Sequence, residues 1–74
     1  MDEIKLLDVV ALLEDVPAEG LRRGEVGTVV ERWQENVYEV EFSDNSGIAY
    51  AFATLNTEQL LPLRRRKRDT AVIS

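Results

Sequence analysis

The chain lacks cysteine and histidine altogether, and its 74 residues include only two prolines, four glycines and one tryptophan. Without cysteine there is no disulfide framework, and without either residue there is no thiolate or imidazole ligand for a structural metal. The same two absences remove the commonest general base and the commonest strong nucleophile. The chain therefore reads as non-catalytic, with no cofactor and no metal. No apolar run approaches the roughly 18 residues of a membrane-spanning helix, and no basic segment leads into an apolar one at the start. A soluble, cytoplasmic protein is expected, since a chain without thiols is compatible with a reducing compartment.

What is present is mostly charge and short apolar segments. At this length one compact unit is expected, with a single core that rarely nets more than about 3 to 5 kcal/mol. The formal net charge of −5 conceals two opposite parts. Residues 1–63 carry four Lys or Arg against thirteen Asp or Glu, a net of −9, whereas residues 64–74 carry five cations against Asp69, a net of +4. An acidic body repels phosphate, so any polyanion binding belongs to the tail. The expected division is a folded domain over 1–63 and a disordered basic tail over 64–74.

The periodicity points to strands. Residues 6–13 read as a first strand, followed by a turn cluster around Pro17 and Gly20. Gly24 and Gly27 then bracket a bend before a second strand carrying Val26, Thr28, Val29, Val30 and Trp33, in a setting where a bulge or tight corner is common. Tyr38, Val40 and Phe42 alternate with Glu39 and Glu41, the cleanest two-residue period in the chain. Ser43-Asp44-Asn45-Ser46-Gly47 has the composition of a hairpin turn. It leads to a strand presenting Ile48, Tyr50, Phe52 and Leu55. Asn56 or Thr57 caps one helical turn, and Leu60 to Leu63 form a short last strand that Pro62 restricts to an edge. Five short strands with one helical turn before the last describe an all-β, five-stranded SH3-like barrel. The expected core is Val9, Leu12, Val26, Val29, Tyr38, Val40, Phe42, Tyr50, Phe52, Leu55, Leu60 and Leu61.

The string Leu21-x-x-Gly24-x-x-Gly27-Thr28-Val29-Val30-Glu31, then Tyr38-Glu39-Val40-Glu41-Phe42-Ser43-Asp44, then Gly47 and Leu60-Leu61-Pro62-Leu63, resembles the bacterial family called domain of unknown function 4926. The resemblance covers residues 4–63. It implies a small protein of a type common in cyanobacteria, with an SH3-like barrel and no assigned activity, and it carries over no catalytic residue. The Gly-x-x-Gly-Thr-Val-Val segment is also similar to the nucleic-acid-binding barrel motif of ribosomal and transcription-elongation proteins. Here Glu25 and Glu31 flank that segment, with Arg22 and Arg23 as its nearest cations, which argues against RNA binding by the barrel.

Each candidate site has a plainer alternative. Glu39 with Glu41, and Glu25 with Glu31, are carboxylate pairs, but alternation puts the first pair on a solvated strand face, and the Asp44 turn lacks the spacing of a calcium loop. Trp33 stands at a strand end beside a polar loop. With Tyr50, and with Glu39 and Glu41 on the exposed face, it forms a candidate partner-binding set. Packing at a barrel rim is the alternative for both aromatics. Arg64, Arg65, Arg66, Lys67 and Arg68 can act as a phosphate-binding arm, as a solvated spacer, or as a strap over the acidic body. The expected function is an acidic adaptor or antitoxin-like accessory subunit docking on a protein partner, such as one encoded beside it, with no membrane contact. The alternative is a nucleic-acid-associated factor that uses the tail.

Overall fold

The computed structural model describes residues 3–63. The expected disorder of the basic tail therefore falls outside the described residues. Five strands form one antiparallel sheet: β1 (Val9–Leu12), β2 (Val26–Gln34), β3 (Val37–Ser43), β4 (Ala49–Asn56) and β5 (Leu60–Pro62). Their order across the sheet is β4-β3-β2-β1-β5. The first four strands make a meander, and β5 returns to pair with the far side of β1, with Leu12 opposite Leu60 and Val10 opposite Pro62.

This order forces the sheet to roll. A flat sheet would hold β4 and β5 about 19 Å apart, four spacings of about 4.8 Å. Yet only the short 3-10 turn Thr57–Gln59 joins them, and so few residues span at most about 13 Å. The roll stops short of the expected closed barrel, because β4 and β5 remain unpaired edges. The reason is local: β5 is three residues long, one of its edges serves β1, and Pro62 has no N–H to offer a further neighbour. The turn itself is anchored elsewhere, with Leu13 N–H donating to Gln59 and Thr57 N–H donating to Asn36. The Gln59 side chain accepts from the Asn56 N–H at 2.8 Å, so Asn56 is the cap.

The core lies inside the roll. Tyr38, Val40 and Phe42 of β3 are buried, as their alternation predicts, together with Leu12, Val29, Leu55 and Leu60. Five expected core residues are instead exposed: Val9, Val26, Tyr50, Phe52 and Leu61. Strand parity explains this. Val10 and Leu12 share the inner face of β1, which turns Val9 outward, and Ala53 and Leu55 share the inner face of β4, which turns Phe52 outward. Phe42 lies opposite Ala51, whose small side chain packs half-buried against the core. Ile4, Val10, Leu21 and Ala53 complete the core.

Two more expectations change. Gly27 does not mark a bend: it sits within β2, paired with Val10, and packs against β3. The irregularities of β2 come later, between Val29 and Glu31 and between Arg32 and Gln34. The first strand is also shorter than 6–13, because Leu6 and Leu7 form a turn closed by Asp8, whose Oδ2 accepts the Lys5 N–H at 2.8 Å. Leu7 there has φ 71°, a left-handed conformation, while its side chain is 74% exposed. A Leu in that region carries strain that Asn largely relieves. Leu7→Asn is therefore expected to raise the unfolding free energy by about 0.5 to 1 kcal/mol, read as a higher urea midpoint at unchanged slope.

Candidate functional site

The outer face of the sheet consists of the positions that alternate with the core. On β3 these are Glu39 and Glu41, both half-buried between their neighbours. Glu41 stands opposite Phe52 on β4 and Thr28 on β2, and Glu39 stands opposite Thr54 on β4 and Glu31 on β2. Two carboxylates directly opposite one another, Glu31 and Glu39, repel. That repulsion leaves this end of the face suited to a cation.

Trp33 joins the same end. It lies in the second irregular step of β2, between Arg32 and Gln34, and is 61% exposed. Its indole N–H donates to Oε1 of Glu39 at 2.9 Å, and the Thr54 hydroxyl donates to that same oxygen at 2.7 Å. The ring is therefore held in place while remaining accessible. Of the four residues in the candidate set, three (Trp33, Glu39 and Glu41) stand together on this face. Thr54 and Phe52, opposite Glu39 and Glu41 on β4, belong with them, although the sequence pattern points Phe52 to the core. The signal for Phe52 lies in the alternation of Ala51 and Ala53 with it, which places the small residues inside.

Tyr50 stands apart, at the opposite end of β4 in the irregular step beside Phe42 and Ser43, and is 54% exposed. Its hydroxyl donates to Oε1 of Glu25 at 2.6 Å, while the Arg22 N–H donates to Oε2 of the same carboxylate at 2.8 Å. The Tyr50 bond, then the Arg22 bond, hold the Glu25 carboxyl below its ordinary value. Reciprocally, the carboxylate acceptor raises the Tyr50 phenol. The contribution of Glu25 to stability is present above the unfolded carboxylate value of about 4.3 and is lost as pH falls through the lower folded value. That of Tyr50 is present below about 10 and is lost as pH rises through the higher folded value. Tyr50→Phe is expected to remove the alkaline limb and to flatten the acid limb of a stability-against-pH curve, measured by urea unfolding from about pH 2.5 to about pH 11.5.

Of the other candidate pairings, Glu25 and Glu31 are not brought together: Glu25 faces Tyr50, and Glu31 faces Glu39. In the 43–47 turn the Asp44 carboxylate is occupied by backbone, accepting from the Ser46 and Ile48 N–H groups. Among the described residues, no group of three or more acidic side chains is placed to hold a metal ion. A shallow hollow lined by Asp15, Pro17, Gly20, Leu21 and Arg22 lies in the first loop, away from Trp33 and Glu39. Among the described residues no helix is long and apolar enough to cross a membrane. Arg64, Arg65, Arg66, Lys67 and Arg68 lie outside the described residues.

Fold and face together define a small all-β domain on a rolled, open antiparallel sheet, with an aromatic and carboxylate outer surface. The chain belongs to the family described as Domain of unknown function (DUF4926), whose model matches residues 6–62. Comparison with curated proteins and with solved structures gives no match.

Proposed function

We propose that this is a non-catalytic, cytoplasmic protein-binding module, an acidic adaptor or accessory subunit that docks on a protein partner through the outer face. The rolled sheet is read as following the SH3-like strand plan with its seam left open. The observation that supports this function is the pinned, accessible indole of Trp33 beside Glu39, with Phe52 exposed on the same face. Apolar and aromatic side chains gathered on one exposed face are typical of interaction surfaces, and Trp is enriched where binding energy concentrates. Carboxylates beside them favour a partner with a basic patch, through steering and exclusion of acidic competitors.

The test is affinity recovery from the native host at physiological salt, with the full chain, with Glu39→Lys, and with the five cations of residues 64–68 replaced by Gln. The expected result is one and the same protein recovered by the full chain and by the tail variant, and lost with Glu39→Lys. Recovery of nucleic acid alone, abolished by the tail variant, would replace this reading with a nucleic-acid-associated factor.

A further inference from the structure

We infer that this chain pairs with a second copy of itself along the free edge of β4, the two β4 strands running antiparallel about an axis at Ala53. Hydrogen-bond parity shows what that edge offers. Asn36 stands opposite Thr57, one step beyond the pair of Val37 with Asn56, and the Thr57 N–H donates to the Asn36 carbonyl at 3.1 Å. Bonded pairs alternate along an antiparallel ladder, so Leu55, Ala53 and Ala51 bond to β3, while Phe52, Thr54 and Asn56 turn their N–H and C=O groups outward. The Asn56 N–H donates to the Gln59 side chain at 2.8 Å. Among the described residues, no backbone group takes those of Phe52 and Thr54. The 3-10 turn Pro17–Glu19 comes near β4 without bonding to its backbone. The other edge of the sheet is closed by the same alternation. Leu63 N–H donates to the Val9 carbonyl and Leu61 stands opposite Ala11, which leaves Leu60 and Pro62 facing out. The Leu60 N–H already bonds to Thr57, and Pro62 has none to give.

Charge selects the occupant. Edge strands are ordinarily protected by charge or proline, yet neither falls between Asp44 and Glu58. Elsewhere in residues 3–63 successive charged residues are never more than six apart. Residues 1–63 carry a net of −9, so two copies repel, and least along a strand without charge. About Ala53, Phe52 of each copy stands opposite Thr54 of the other, an aromatic beside a β-branched side chain, and each such pair exchanges both backbone bonds. The irregular step at Ser43 and Ala49, where Tyr50 sits, stays outside this register. Across the seam, Glu39 and Glu41 of one copy lie three strand spacings from those of the other, about 14 Å, beyond the Debye length of about 8 Å at physiological salt. Pairing joins the two outer faces edge to edge and leaves Trp33 and Glu39 of each accessible. The inference therefore goes beyond partner docking and does not depend on it.

Light scattering of the full chain from about 1 µM to about 1 mM, a range that spans moderate to weak dimers, is expected to show the mass rising toward twice the monomer value. Raising salt from about 10 mM to about 1 M, which shortens the Debye length from about 30 Å to about 3 Å, should strengthen the association, the opposite of a contact between unlike charges. Amide exchange locates the contact. Ala53 and Leu55 should be protected at every concentration, Phe52 and Thr54 only where the dimer forms. Phe52→Lys places on the edge the charge it lacks, and Thr54→Pro removes one outward N–H while sparing the bonds to β3. Both should stay monomeric where the full chain is paired. Far-UV circular dichroism checks that each is folded, Phe52→Lys being the milder change. A full chain that is monomeric throughout would overturn the proposal. So would a dimer in which the Phe52 and Thr54 amides stay unprotected. So would one weakened by salt and abolished with Gln at 64 to 68, since charge and not the strand edge would then hold it. Glu39→Lys leaves the β4 edge untouched, so failure of that recovery test and failure of this one are separate results.

Discussion

Phe42→Ala is expected to leave the chain largely unfolded at 25 °C. Phe42 is 0% exposed near the end of β3, with Ala51 opposite it on β4 and Gly27 close beneath its ring from β2. Truncating a buried Phe costs about 3 to 5 kcal/mol, the larger values arising where neighbours cannot close over the gap. On the two flanking strands the cross-strand neighbours are an alanine and a glycine, which have too little side chain to fill the space. A single core of this size rarely nets more than about 3 to 5 kcal/mol, so the loss is comparable with the whole stability. Loss of the far-UV circular dichroism of a folded β domain and of a cooperative urea transition is the expected readout. Phe52→Ala serves as the internal comparison. Phe52 directly follows Ala51 on β4, faces outward and is 51% exposed, so its removal should cost less than about 1 kcal/mol.

Gly27→Ala is expected to be the second most damaging change, although strand propensity alone predicts the opposite sign, since Gly weakens a strand interior. A Cβ built at Gly27 would stand 2.7 Å from Cγ1 of Val40, 2.8 Å from the carbonyl oxygen of Glu41 and 2.9 Å from Cδ2 of Phe42. Side chains can shift by a few tenths of an ångström. The Glu41 oxygen belongs to the ladder between β2 and β3 and cannot move without disturbing the Thr28 pairing. Overpacking of this kind costs about 1 to 3 kcal/mol, and a backbone clash puts the cost toward the upper end. A urea midpoint lowered by most of its value at unchanged slope is expected. If Phe42 is the part of the clash that can yield, adding Phe42→Leu to Gly27→Ala should cost less than the two single changes predict when summed. Strict additivity would mean that Val40 and the Glu41 carbonyl, rather than Phe42, carry the effect.

Both changes act beneath the outer face rather than on it. Val40 and Phe42 alternate with Glu39 and Glu41, so the packing that seats the former aims the latter outward. The bond from Trp33 to Glu39 then depends on a rigid β3. A destabilised core should therefore loosen Trp33 before the chain unfolds globally, because local order at a sheet face rests on the strand below it.

Local sequence was enough to define β3, both of its faces, the Asp44 turn and the capped turn before β5. Each follows from local chemistry: a two-residue period, an Asx side chain bonded to its own turn, and a polar cap on a short helical turn. The same alternation turned Glu39 and Glu41 toward solvent, and hence located part of the candidate site. Long-range packing settled the rest. Between adjacent Val9 and Val10 no local preference exists, and the ladder to β5 put Val10 inside. On β4 the large Tyr50 and Phe52 look more like core than Ala51 and Ala53 do, but the register with β3 turns the alanines inward and leaves Tyr50 and Phe52 exposed. The place of Trp33 on Glu39 depends on an irregular step in β2, and the open seam depends on how far a three-residue β5 can pair. These outcomes come from volume and hydrogen-bond competition between segments distant in the chain, which no local pattern encodes.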